Sequence, residues 1–211
     1  MDAPLVALVN ARPETIVDDV RRVMILAGWS ACLDGVEEIV LVPGPGAPRW
    51  LPATVRDVVS SATREVRESS APLPGRGLVL LPSLAADPQS GAARALLGWR
   101  PTERPARRPR VTPALLGELL TLQRQRCPRT FVVMDATECG GTGANVLLAG
   151  ADPAAVDAVA ARLIDREPAV PSAFELVGDA DACDARVMPR GGRGRRRETP
   201  WSRLRQDWEG R

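Results

Sequence analysis

Between Met134 and Leu163 the chain reads MDATECGGTGANVLLAGADPAAVDAVAARL, and the residue types able to do chemistry crowd there. Asp135 closes an apolar run, FVVMD, beside a glycine cluster, ECGGTG. A carboxylate at the C-terminal end of a buried strand is placed to move a proton or to grip a polar group. Glu138 opens the cluster, and Asp157 follows on a helix that starts at Asp152-Pro153; with Asp135 these are the candidate catalytic carboxylates. Glycines supply bare amides and free φ, so Cys139, Gly140, Gly141, Thr142 and Gly143 form a loop suited to cradling an anion. The competing reading makes that loop a flexible joint between two strands and Asp152 an ordinary helix cap. The loop leads into another apolar run, VLLAG, and not into a helix, so it is not a dinucleotide fingerprint. Cys139 is a nucleophile or soft ligand if the neighbouring amides stabilise its thiolate, and otherwise a small buried filler.

Composition removes many alternatives. The chain has no His and no Tyr, and all 28 basic residues are Arg. Without His, neither a Ser-His-Asp arrangement nor an HExxH zinc site can be built from this chain. Without Lys there is no Schiff-base amine and no phosphate-loop lysine. Chemistry must rest on carboxylates, thiols, hydroxyls, arginines, main-chain amides or a cofactor. Cys32, Cys127 and Cys183, like Cys139, lack CxxC spacing; they read as reduced structural thiols, with no metal site expected. No apolar run approaches the ~20 residues of a membrane span, and the start MDAPLVALVN is not a secretory signal, so a cytoplasmic protein is expected.

The elements that must position these residues alternate. LVALVN (5–10) is a buried strand, followed by a helix from about Pro13 that Gly28 stops. EEIVLVPGPG is a second strand ending in a Pro/Gly turn, and Thr54 to Ser69 is expected to form one amphipathic helix. LVLLP (78–82), FVVMD (131–135) and VLLAG (146–150) are three further strands. A short helix is expected around Gln89 to Leu97. Thr112-Pro113 starts a helix that runs to about Arg126, with Leu115, Leu116, Leu119, Leu120 and Leu122 on its core face. The alternation predicts an α/β layered fold with a largely parallel or mixed sheet flanked by helices.

The segment VVMDATECGGTG followed by NVLLAGADPAAVDAVAARLIDREP resembles the core of the domain-of-unknown-function family 362. There an aspartate-ending strand, a Gly-rich segment, a strand and a D-P-x-A-x-D helix follow one another. The resemblance is close over Phe131 to Pro168 and loose over the rest of Leu5 to Val187. It implies a cytoplasmic α/β protein in a family many of whose members carry ferredoxin-type iron–sulfur modules. This chain departs from the pattern in LVPGPG, in LVLLPSLAAD and in having no CxxCxxC segment, so no local ferredoxin-type cluster is expected.

Residues 1–188 are read as one α/β domain with a Pro- and Arg-rich linker at 99–111, and 189–211 as a basic, flexible tail. The tail holds eight arginines and three acidic residues, a net +5, against −3 for the remainder. The expected function is binding, or catalysis, of a small anionic molecule at the glycine loop and carboxylates. Two alternatives stand beside it: a nucleic-acid adaptor acting through Arg190 to Arg211 with Trp201 and Trp208, and a degenerate scaffold subunit. Assembly into an oligomer is compatible with either, and no membrane partner is expected.

Overall fold

The structure is a computed structural model and describes residues 3–44, 46–61, 65–86, 89–99, 111–137 and 145–179. Seven strands form one mixed sheet: β1 (Leu5–Asn10), β2 (Glu38–Pro43), β3 (Glu65–Glu68), β4 (Gly77–Leu81), β5 (Thr130–Ala136), β6 (Val146–Gly150) and β7 (Glu175–Gly178). Their spatial order is β3-β2-β4-β5-β6-β1-β7. Six strands run the same way, and β6 alone runs against them, antiparallel to β5 on one side and to β1 on the other.

The strands are near-continuous Val/Leu/Ala runs because helices cover both faces. Side chains alternate between two cores. Val40, Val42, Leu78, Leu80, Val132 and Met134 face α4 (Gly91–Ala95), α5 (Pro113–Arg126) and α6 (Pro153–Leu163). Ile39, Leu41, Val79, Leu81, Phe131 and Val133 face α1 (Ile16–Leu26), α2 (Trp29–Cys32) and α3 (Trp50–Val59). The expected layered α/β architecture is what the chain adopts.

Local signals act as their chemistry dictates. Thr112 Oγ1 accepts from the Leu115 amide at the start of α5, and Asp152 Oδ1 accepts from the Ala154 and Ala155 amides at the start of α6. Gly28, at φ 71°, turns the chain out of α1 into the one-turn α2.

One expected element is corrected. The helix over Thr54 to Ser69 is two elements: α3 ends at Val59, and Glu65–Glu68 is an edge strand paired in parallel with β2. Two serines end the helix, because Ser60 Oγ donates to the Arg56 carbonyl and Ser61 Oγ to that of Val58. The Ser61 hydroxyl satisfies a terminal carbonyl that a longer helix would bond to its own amide, while the Ser60 hydroxyl joins the Ser60 amide on the Arg56 carbonyl. The helix around Gln89 to Leu97 shortens to α4 and a 3-10 turn over Leu96–Trp99. Strand β7 and helix α2 complete the fold.

Two thiols sit within it. Cys32 Sγ donates to the Thr130 carbonyl and Cys127 Sγ to that of Leu73, both at 3.1 Å. Burial pushes both above their ordinary 9.0; the Arg129 guanidinium opposes this at Cys32, and backbone hydrogen bonds from Arg76 and Gly75 oppose it at Cys127. A thiol whose pKa is raised by folding contributes stability below its unfolded value and loses it as pH climbs through the folded one. Stability should therefore decline as pH rises above 9. At about pH 8, peptide-mapped alkylation of Cys32 and Cys127 should be slower in native protein than in urea; equal rates would contradict the burial. Cys139 and Cys183 lie outside the described residues.

Candidate functional site

The parallel strands β2, β4 and β5 end together at one rim. From β2 the chain leaves to α3 on one face, and from β4 it leaves to α4 on the other. Neighbouring strands whose connections diverge in this way open a crevice at their C-terminal ends, the usual ligand position in open α/β sheets.

Asp135 stands on this rim, next-to-last in the central strand, and is 5% exposed. Two residues before it, Val133 faces the core under α1–α3; strand alternation puts the Asp135 side chain on that same face. Its Oδ1 accepts from the Thr137 amide at 3.1 Å and from Thr137 Oγ1 at 2.7 Å. Its main chain is fixed to the turn after β4: the Asp135 amide donates to the Pro82 carbonyl, and the Leu84 amide donates to the Asp135 carbonyl. Ser83 pairs with it across that bridge and is 4% exposed. Among the described residues, no hydrogen-bond partner reaches Asp135 Oδ2 or Ser83 Oγ.

The turn after β2 closes against the same place. Gly44 continues the ladder, donating to the Leu81 carbonyl. Gly46, at φ 73°, packs so tightly on the next turn that a Cβ there would come within 2.5 Å of Ala86 Cβ and 3.7 Å of Ser83 Cβ. Only glycine fits both the angle and the approach. Gly44 and Gly46 therefore build one wall of the rim, a role that the strand signal before them does not announce.

The other sequence candidates separate. Asp157 lies on α6, on the opposite face of the sheet from Asp135, and is 3% exposed. Its oxygens accept from the Ala92 and Ala93 amides at 2.8 and 2.9 Å, so this carboxylate ties α6 to the start of α4. Asp152 caps α6 and pairs with Arg124 at 3.0 Å. Glu138, Cys139, Gly140, Gly141, Thr142 and Gly143 lie outside the described residues. The segment that holds them leaves the rim at Thr137 and returns to it at Asn145. Asn145 takes φ 42°, a left-handed angle that asparagine tolerates, and its carbonyl accepts from the Ala11 amide at 2.7 Å. Among the described residues no group of three or more Cys, Asp or Glu side chains could hold a metal ion, and no helix is long and apolar enough to cross a membrane.

Ser83 escaped the sequence reading. Its only signal was a hydroxyl just after LVLLP; that it faces Asp135 depends on which strands pair.

Compared with known protein families, with curated protein sequences and with solved structures, the chain matches none of them.

Proposed function

We propose that the chain binds, and acts upon, a small anionic molecule at the rim formed by the ends of β2, β4 and β5. One observation carries the reading: Asp135 and Ser83 are almost wholly buried at a strand-crossover rim, with an oxygen each left without a partner among the described residues. Neither oxygen is among the side-chain atoms that are both fully buried and unpaired, so each opens to the space at the rim, where a ligand can reach it. Asp157 shows the contrast, since each of its two carboxylate oxygens accepts from a main-chain amide. In this reading Asp135 accepts a hydrogen bond, or a proton, from the ligand, while the amides of Gly140 to Gly143 face its anionic group.

A panel of phosphorylated and carboxylated metabolites, titrated by calorimetry, tests this. The tightest ligand bearing a hydroxyl or amino group should lose roughly 10- to 100-fold in affinity with Asp135→Asn, the range expected when a charged hydrogen bond is removed. Thermal stability should change little. Unchanged affinity for every ligand would overturn the role of Asp135, and Gly141→Val tests the loop in the same way.

A further inference from the structure

Strand β3 ends the sheet on one side. β2 pairs with it, and among the described residues no strand pairs with its outer edge. The Ser69 amide donates to the Leu41 carbonyl, which sets the alternation: the main-chain groups of Glu65, Arg67 and Ser69 face β2. Those of Val66 and Glu68 therefore face outward. Open edges recruit further strands unless something blunts them, and charge is the usual means. Here the charges EVRE blunt the edge against most strands but not against a second EVRE.

Glu65 is the residue left over. Arg67 pairs with Glu38, and Glu68 pairs with Arg56. Glu65 is exposed and has no ion pair among the described residues. It stands directly opposite Glu38 on β2, and the two nearby cations, Arg67 and Arg76, are both drawn to Glu38. Like charges directly opposite one another are destabilising. An arginine arriving along the outer edge would give Glu65 the counter-charge it lacks.

A second copy of the chain brings that arginine. The outward groups sit on alternate residues, so two antiparallel copies of β3 can meet only in registers two residues apart. Centred on Glu65, the pairing sets that carboxylate against its own copy; centred on Arg67, it sets guanidinium against guanidinium. Centred on Val66, it sets Glu65 opposite the partner subunit's Arg67, twice by symmetry. The two Val66 residues then exchange N–H to C=O bonds. We infer that the chain forms a two-fold symmetric dimer by antiparallel pairing of β3 with the β3 of a second copy, centred on Val66. A four-residue strand buries little surface, so the dimer is weak, reversible and dependent on concentration. It does not rest on the ligand proposed at the rim.

Sedimentation velocity on the full chain, over a concentration series at low and high salt, tests it. The dimer fraction should rise with concentration and fall with salt, because exposed charge pairs are screened. Glu65→Arg meets like charge twice across the axis and should weaken the dimer about tenfold or more. Its melting temperature should hold or rise, since the repulsion from Glu38 is gone. Adding Arg67→Glu to that variant reverses both signs and should restore the dimer. Val66→Pro removes an outward N–H while sparing the bonds to β2, and should give a folded monomer. In wild-type protein, hydrogen exchange at the Val66 amide should slow as concentration rises, whereas the Arg67 amide, which faces β2, should not respond. A monomer at every concentration in low salt overturns the inference. So does a dimer that Glu65→Arg and Val66→Pro both leave intact, because its contact then lies elsewhere. A folded Glu65→Arg, Arg67→Glu protein no better paired than Glu65→Arg alone overturns the Val66-centred register.

Discussion

Replacing Asp157 by alanine should cost about 3 kcal/mol of folding stability, lowering the melting temperature by roughly 10 °C for a chain of this size. The carboxylate is 3% exposed, and its two oxygens receive the Ala92 and Ala93 amides. Those amides open a helix of five residues, too short to hold itself, so α6 in effect supplies the cap of α4. Alanine leaves two buried N–H groups without their acceptor. Asparagine keeps one oxygen but turns an amino group toward the second amide, and should cost about half as much. Urea unfolding of the three proteins checks the order, with alanine least stable and asparagine between. A catalytic Asp157 would behave oppositely, with Asp157→Asn abolishing function at unchanged stability. Unaltered unfolding midpoints would overturn the capping role.

Gly178→Ala should be nearly as damaging, costing about 2–3 kcal/mol. Gly178 ends β7 at φ 134°, a conformation essentially reserved for glycine, and a Cβ there would overlap the Leu8 carbonyl. Relief requires the end of β7 to part from β1. That would release Asp179, whose amide donates to the Leu8 carbonyl and whose carboxylate accepts from the Asn10 amide and pairs with Arg22. Hydrogen exchange reads the outcome directly: the Asp179 and Asn10 amides should lose protection, while amides of β4 and β5 keep theirs. Protection unchanged at Asp179 would show that the strand absorbs a side chain, against the geometry described.

These residues mark the division between pattern and packing. Buried strands were legible as short apolar runs, and helix starts as Thr112-Pro113 and Asp152-Pro153, because both signals are local: they depend on side chains within a few positions. Asp135 was legible for the same reason, as a carboxylate that interrupts an apolar run at its end. The two edge strands were not. EVRE carries one apolar residue and continued the spacing of Val55, Val58 and Val59; its pairing with Glu38–Leu41 and the charges of Glu38 and Arg67 make it a strand. ELVG has four residues and no alternation to distinguish it from a loop, and it is held by β1, far away in sequence.

By itself, then, the chain's order of residues determined an α/β layered protein, the caps of α5 and α6, a carboxylate at the end of a buried strand, and the exclusion of histidine and lysine chemistry. Tertiary structure decided that β6 reverses between β5 and β1, that Asp157 serves α4 on the opposite face from Asp135, and that Gly46, Ser83 and Asp135 come together at one rim. The reason is physical. Propensity and capping act over a few residues, whereas strand partners and buried donors are chosen by contacts tens of residues apart, among runs of Val, Leu and Ala too alike to name their neighbours.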